Sequence, residues 1–141
     1  RNCVLTPHPG EAARLLGVTT EEIEADRIRA VSKLQKKFLS TIVLKGANSL
    51  VADSGVATLH LTGTPAMAQG GMGDVLSGII ASFMGQGLSS YDAANLGVSL
   101  HGLCAEYLEE EKGPFGFMAR EIADSLPLVV KKLGRFPKPV F

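Results

Sequence analysis

Apolar residues form two short unbroken runs near the start of the chain, separated by a segment with helical periodicity. Residues 3–6 and 41–44 are apolar or β-branched throughout, and the second run is typical of a strand covered on both faces in a parallel sheet. Thr19 and Glu22 have capping-box spacing at the start of the intervening segment. Its apolar face is predicted to comprise Ile23, Ile28, Val31, Leu34 and Phe38, and its solvent face Arg27, Arg29, Lys33 and Lys36. The order strand, helix, strand predicts a right-handed βαβ unit.

Turn residues divide the rest of the sequence into a hairpin and four more helices. Residues 50–52 and 56–61 flank Asp53-Ser54-Gly55 and predict a hairpin at the edge of the sheet, which would then be mixed. Helices are predicted over 11–16, from Asp74 to about Gly85, from Ser89 to Lys112, and over 119–133 with an interruption at Pro127. The pattern indicates a layered α/β domain.

The composition argues against binding by overall charge or by insertion into a membrane, so the function is expected to depend on a defined site. With 14 basic and 14 acidic residues, the chain has no net charge with which to attract nucleic acid or an anionic membrane. No apolar run approaches the roughly 20 residues that span a bilayer, and no signal-peptide pattern is present, so we expect a cytoplasmic protein. Cys3 and Cys104 lack zinc-site spacing and are expected to be buried thiols.

The most informative local signal is a loop with three glycines, residues 70–73, that runs directly into a helix. Gly70, Gly71, Met72 and Gly73 could present several backbone amides to one point, where the helix N-terminus adds partial positive charge. This arrangement suits a phosphate or a developing oxyanion. Asp74 follows at the helix start, where a carboxylate beside a phosphate indicates proton transfer or metal binding. The alternative is that Asp74 is only a helix cap.

Two other polar segments follow predicted strands and are therefore expected at the carboxyl edge of the sheet, where α/β folds bind ligands. Lys45-Gly46-Ala47-Asn48-Ser49 could approach a nucleotide or form an ordinary turn. His8, held between two prolines, could bind a substrate or be structural, and Glu11 lies near it in the sequence. His60 and His101 are assigned no chemistry.

Three motifs together resemble the ADP/ATP-dependent NAD(P)H-hydrate dehydratases of the ribokinase-like superfamily. They are Thr-Pro-His-Pro-Gly-Glu at 6–11, Val-Leu-Lys-Gly-Ala-Asn-Ser at 43–49 and Gly-Gly-Met-Gly-Asp-Val-Leu-Ser-Gly-Ile-Ile at 70–80. The resemblance implies an α/β/α fold with a mainly parallel central sheet and an edge hairpin. It also implies ADP or ATP and Mg²⁺ as cofactors, and NADH or NADPH hydrate as the substrate in metabolite repair.

The resemblance assigns a role to each candidate residue. His8 corresponds to the substrate-binding histidine, Lys45 through Ser49 to the segment that holds the adenine nucleotide, and Gly73 to a further nucleotide contact. Asp74 corresponds to the catalytic carboxylate, which also contacts the hydrate. Glu11 is expected to order the magnesium shell indirectly. Ala66 stands where the family often has Gly, and Gln69 where it often has Thr or Ser, but no reacting group is lost.

Catalytic domains of this family are about twice as long as the chain. We therefore expect residues 1–141 to form the nucleotide-binding and catalytic half of a dehydratase domain, without an epimerase domain. Such a half is expected to be inactive alone, and to associate with itself or with a complementing N-terminal half. Two alternatives remain: a small-molecule kinase acting on a thiazole or hydroxymethyl-pyrimidine, in which Asn usually replaces His8, and a non-catalytic nucleotide-binding half-domain.

Overall fold

A computed structural model describes residues 2–134 as a sheet with helices on both faces. The strands are β1 (Val4–Leu5), β2 (Thr41–Leu44), β3 (Leu50–Asp53) and β4 (Val56–Leu59). The helices are α1 (Pro9–Leu16), α2 (Thr20–Ala25), α3 (Arg27–Phe38), α4 (Met72–Gly85), α5 (Ser90–Lys112) and α6 (Ala119–Leu133), with a short 3₁₀ helix at Pro65–Met67. Within these residues no helix is both long and apolar enough to cross a membrane.

The sheet is mixed, as the strand patterns predicted. Its order is β1-β2-β3-β4, in which β1 and β2 are parallel and the other two pairings are antiparallel. Ser54 and Gly55 connect β3 to β4 with φ of 44° and 85°, and a two-residue turn with both φ positive matches the right-handed twist of a hairpin. The predicted hairpin is therefore confirmed, although β4 ends at Leu59 rather than at residue 61.

Successive side chains of the strand β2 point to opposite faces of the sheet and contribute to two different hydrophobic cores. Ile42 and Leu44 pack in a cluster with α1, α2 and α3, whereas Val43 packs on the opposite face with α4 and α5. A third cluster joins α4, α5 and α6 away from the sheet. The strand is thus covered on both faces, which confirms the layered α/β arrangement.

Cys104 is a fully buried free thiol, whose pKa is raised by burial, whereas Cys3 is only half-buried.

The predicted single helix over 19–38 is wrong, because the segment forms two helices. Asp26 has φ of −151°, and its side chain accepts a hydrogen bond from the backbone amide of Arg29 at 2.9 Å, which starts α3 anew. Within α3, Arg27 lies four residues before Val31 and seven before Leu34 and so shares their face, whereas Ile28 lies off it. Ile28, predicted to be buried, is 67% exposed, and Arg27, predicted to face solvent, turns toward the sheet.

Two further boundaries differ from the predictions. Helix α4 begins at Met72, two residues before the predicted start at Asp74, because Gly71 adopts the N-cap position. Helix α6 continues through Pro127 without interruption. Its apolar side chains Ile122 and Val129 lie on either side of the proline and are buried in the same core, and this packing holds the helix together.

Candidate active site

The loops that follow β1 and β2 leave the sheet at the same edge, because these two strands are parallel. The backbone amide of Lys45 donates to the carbonyl of Pro7 at 2.9 Å, which ties the loops together. They border a cavity of about 770 Å³. Among the predicted site residues, those that line it are His8, Lys45, Gly46, Ala47, Asn48, Ser49, Gly70, Met72 and Gly73. Most of the predicted site residues therefore lie around one cavity, although Glu11, Gly71 and Asp74 do not line it.

His8 is the N-cap of α1 as well as a cavity residue. Its Nδ1 accepts hydrogen bonds from the backbone amides of Gly10 and Glu11 at 3.1 and 3.3 Å. In return, Glu11 Oε2 accepts from the backbone amide of His8 at 2.7 Å, which completes a capping box. Because Nδ1 is used as an acceptor, Nε2 is the ring nitrogen left to bind a ligand, and its neighbour within the protein is Glu11 Oε1 at 3.6 Å.

Lys45 joins the three predicted segments. Its Nζ lies 3.7 Å from Glu11 Oε2, and a Cβ placed on Gly73 would come within 2.9 Å of the same Nζ. The ammonium therefore lies beside the first turn of α4. The pKa of Glu11 is lowered, first by the hydrogen bond from the His8 backbone and then by the positive charges of Lys45 and His8. Glu11 consequently stays ionised and orients Lys45 from outside the cavity.

The glycine loop, residues 70–73, has the geometry that an anion-binding turn requires. Gly71 is the N-cap of α4 with φ of 84°, a left-handed conformation that favours glycine. In the described part of the chain, no backbone amide from residues 70–74 donates a hydrogen bond. Gln69 Nε2 braces the loop by donating to the carbonyls of Ala66 and Phe117, each at 2.8 Å. Unpaired amides, a helix N-terminus and Lys45 thus meet at one place.

Asp74 lies next to this turn but is not the N-cap that the alternative interpretation required. Gly71 occupies that position, and Asp74 is the third residue of α4, exposed, with a side chain that makes no hydrogen bond to residues 2–134. Thr6 Oγ1 and Ser77 Oγ, 3.2 Å apart, hold the first turns of α4 against the loop that carries His8. Asp74 and Gly71 do not themselves line the cavity.

Arg27 contributes to the site in a way that sequence reasoning missed. Its guanidinium donates to the carbonyl of Ala47 at 2.6 Å and to those of Leu44 and Lys45 at 3.3 Å. Gly46 has φ of 147°, and a Cβ there would lie 2.9 Å from a guanidinium nitrogen. Arg27 therefore fixes the backbone of the predicted nucleotide segment. The signal that could have revealed it is Asp26, whose capping position three residues before Arg29 restarts the helix.

The cavity also has an uncharged part that the sequence did not indicate. Thr62, Thr64 and His101 line it, together with apolar residues of α4, α5 and the segment after β4. His60, which was likewise assigned no chemistry, is buried, and its ring nitrogens pair with Asn95 Oδ1 at 2.8 Å and Ser99 Oγ at 3.1 Å.

The carboxylates near the cavity suit a metal ion that is held mainly by the phosphates of a bound molecule. Residues 2–134 contain no cluster of three or more His, Cys, Asp or Glu side chains that could hold a metal by themselves. Glu11 and Asp74 are separate carboxylates near the Lys45 and glycine-loop region. Because Mg²⁺ is commonly held by one or two carboxylates together with phosphates and water, this donor set fits Mg²⁺ only in company with a phosphorylated ligand.

The chain is similar in sequence to a known protein family and to several of its characterised members. Residues 1–128 match the family model described as NAD(P)H-hydrate dehydratase. The bifunctional NAD(P)H-hydrate repair enzyme Nnr of Coxiella burnetii is 44% identical over 90% of this chain and 26% of its own length. The ADP-dependent (S)-NAD(P)H-hydrate dehydratase of Neisseria meningitidis is 45% identical over 87% of this chain and 42% of its own.

A solved structure is similar over the same extent. The ADP/ATP-dependent NAD(P)H-hydrate dehydratase of Bacillus subtilis, co-crystallised with ATP/Mg²⁺, superposes with a TM-score of 0.88 at 36% identity. The match covers 93% of this chain and 48% of that one. This similarity confirms the ribokinase-like α/β fold. The chain thus spans about a quarter of its bifunctional relatives and just under half of the dehydratases.

Proposed function

This chain belongs to the NAD(P)H-hydrate dehydratase family, and we propose that it is the nucleotide-binding and catalytic half of a domain that restores NADH or NADPH from its hydrate with ADP or ATP. The observation that carries the proposal is the position of the Lys45 ammonium beside the unpaired amides of residues 70–74, at the edge of a ligand-sized cavity. Phosphate oxygens require such a combination of charge and amide donors.

In the proposed reaction, the terminal phosphoryl group of the nucleotide passes to the C6 hydroxyl of the hydrate. Asp74 accepts the hydroxyl proton, and its carboxylate is free for this because no side chain or backbone group of the described residues occupies it. Amides of the glycine loop and Lys45 stabilise the transferring group. The C6–O bond then breaks with push from the ring nitrogen, phosphate leaves, and a proton is lost from C5 to solvent, which restores the double bond of the dihydropyridine ring. Mg²⁺, when bound, neutralises charge on the nucleotide phosphates.

The remaining predicted residues position the reactants. His8 Nε2 faces the hydrate, while residues 45–49, whose backbone Arg27 holds, contact the nucleotide. Glu11 would act on a bound Mg²⁺ indirectly, because its carboxylate is already engaged by Lys45 and by the His8 amide. We infer that residues 1–141 work together with a complementing half, supplied by other sequence or by self-association, since the dehydratases they match are about twice as long.

The test is the recovery of NADH absorbance from its hydrate by the complete domain, meaning this chain together with the half that completes it, with ADP, with ATP or with neither. We expect recovery that depends on nucleotide. Two results would contradict the proposal. Phosphorylation of a thiazole or hydroxymethyl-pyrimidine without recovery of NADH would identify a small-molecule kinase, and nucleotide binding without either reaction would identify a non-catalytic module.

A further inference from the structure

Gln69, the residue immediately before the glycine loop, links that loop to a distant part of the chain. Its side-chain amide carries two hydrogens, and Nε2 donates to the carbonyls of Ala66 and Phe117, each at 2.8 Å. The bond to Ala66 is local, but the bond to Phe117 joins positions 48 residues apart. The entry to the loop is therefore held by a tertiary contact that neither the strand runs nor the glycine spacing indicate.

The partner of Gln69 lies in residues 113–118, which connect α5 to α6 and are called the α5–α6 segment below. Phe117 is 1% exposed and packs in the core shared with α4, whereas Phe115 is 79% exposed. In the described part of the chain, the backbone of residues 114–117 forms one hydrogen bond, the one from Gln69. One buried ring and one side-chain amide thus define where this segment lies against the glycine loop.

The start of α6 supports the same loop at a second point. A Cβ on Gly71 would lie 3.2 Å from the Cβ of Ala119, the first residue of α6, so the loop backbone lies directly against that helix. The start of α6 is itself held, because the Met118 amide donates to Glu121 Oε2 at 2.7 Å. The glycine loop is therefore supported at two places, at Gln69 and at Gly71.

This support matters because glycine loses more conformational freedom on ordering than any other residue. Three of the four residues of the loop are glycines, and the unpaired amides of residues 70–74 must point to one place in order to bind a phosphate. If the ligand had to order the loop, the entropy lost would be subtracted from the binding free energy. A loop that neighbouring residues already hold should bind the same anion more tightly.

We propose that Gln69 is a positioning residue for the phosphate site. By donating to the Phe117 carbonyl, it ties the glycine loop to the α5–α6 segment and keeps the loop amides directed at the nucleotide phosphates. This inference rests on the proposed function, which assigns the phosphates to these amides and to Lys45. Gln69 acts through the backbone of the loop, so its effect falls equally on ligands that carry the phosphates with or without a nucleoside.

The experiment compares Gln69→Met with Gln86→Met in the complete domain. Methionine keeps the length of the side chain and removes both donors. Calorimetry measures the Kd for ADP and for inorganic pyrophosphate, which has phosphates but no nucleoside, and the melting temperature is recorded for each variant. We expect Gln69→Met to weaken the binding of both ligands by the same factor, about 3- to 10-fold. Gln86→Met is the control and should leave both Kd values unchanged, since Gln86 Nε2 contacts only Ser82, four residues away in the same helix.

Steady-state turnover supplies a readout that a loss of stability alone would not change. In Gln69→Met, the KM for the nucleotide should rise and kcat should fall, because the same amides stabilise the transferring phosphoryl group, whereas the KM for the hydrate should hold. Gln69→Asn keeps the amide but is one methylene shorter, so it should lose the bond to Phe117 and weaken binding as Gln69→Met does.

Three results would overturn the inference. The first is ADP and pyrophosphate binding within about two-fold of the parent in both Gln69→Met and Gln69→Asn. The second is a loss confined to ADP, and the third is a lower melting temperature with unchanged Kd values, which would show that Gln69 serves the fold alone. Failure of the parent domain to bind either ligand would instead overturn the proposed function.

Discussion

The two walls of the cavity differ in their exposure and in whether their polar groups already have partners. The charged wall, formed by His8, Lys45 and the glycine loop, is partly exposed, and its side chains are oriented by paired groups such as Glu11. The neutral wall, formed by Thr62, Thr64 and His101, is largely buried and contains unpaired polar atoms. Exposed charged groups can form hydrogen bonds with water when no ligand is bound. Buried neutral groups cannot reach water, so only a ligand can supply their missing hydrogen bonds. The comparison suggests that chemistry and recognition are divided between the walls.

Asp74→Asn should have the largest effect, because it removes the proposed proton acceptor beside the charged wall and nothing else. The change keeps the side-chain volume, and Asp74 does not cap α4 through its side chain. We expect turnover of the complete domain to fall by roughly 10²- to 10⁴-fold. Nucleotide affinity should persist or rise, since a negative charge is lost near the phosphates. Turnover within a few-fold of the parent, with a lower melting temperature, would show that Asp74 serves α4 rather than the reaction.

Gly73→Ala should separate stability from binding at the charged wall. The added methyl lies 2.9 Å from Lys45 Nζ and must displace the ammonium, so we expect ADP and pyrophosphate binding to weaken together by about 10-fold. The melting temperature should not fall, because Ala favours helix over Gly by about 1 kcal/mol. Gly78→Ala in the same helix is the control, since a Cβ there meets nothing within 4 Å. Equal binding losses in both variants would refute the role given to the Lys45 position.

Arg27→Met tests whether the backbone of residues 44–47 needs its clamp. Loss of the hydrogen bonds to three carbonyls should lower the free energy of unfolding by about 1–3 kcal/mol, and loosening of residues 45–49 should weaken ADP binding a few-fold. Arg29→Met is the matched control, because Arg29 is exposed and its side chain makes no hydrogen bond to the described residues. Denaturant titration and calorimetry measure both effects. A stability loss with unchanged ADP affinity would make Arg27 purely structural.

Glu11→Gln should have the smallest effect and appear only as a pH dependence. The pKa of Glu11 is lowered in the folded state from 4.5, so its ionised form contributes stability above that value, and the contribution is lost as the pH falls below it. Between about pH 5 and about pH 3, the melting temperature of the parent should therefore fall more steeply than that of Glu11→Gln. Glu24→Gln, which changes an exposed side chain of α2, should follow the parent. Parallel curves for Glu11→Gln and the parent would contradict the lowered pKa of Glu11, which is caused first by the His8 amide and then by Lys45.

The charged wall could be predicted from the sequence because each part has a short local signal. The apolar strand runs predicted that His8 and Lys45 lie at the same edge of the sheet, and the glycine loop predicted the N-terminus of a helix. Arg27 was misplaced because the apolar Ile28 was preferred over a charged residue for the inner face of α3, although Arg27 has the better spacing to Val31 and Leu34. The true boundary lies at Asp26, whose carboxylate accepts a hydrogen bond from the Arg29 amide, whereas Val31 and Leu34 are buried as predicted.

The sequence by itself determined the strands, the hairpin, the caps of α2 and α5 and the glycine turn before α4, because each depends on interactions between residues a few positions apart. Only the tertiary structure decided that His101 lines the cavity while His60 is satisfied, and that Lys45 reaches Gly73. Both outcomes depend on how α4 and α5 pack against the sheet and against residues 61–64. Such contacts join positions far apart in the chain, and no local pattern of residues encodes their distance or direction.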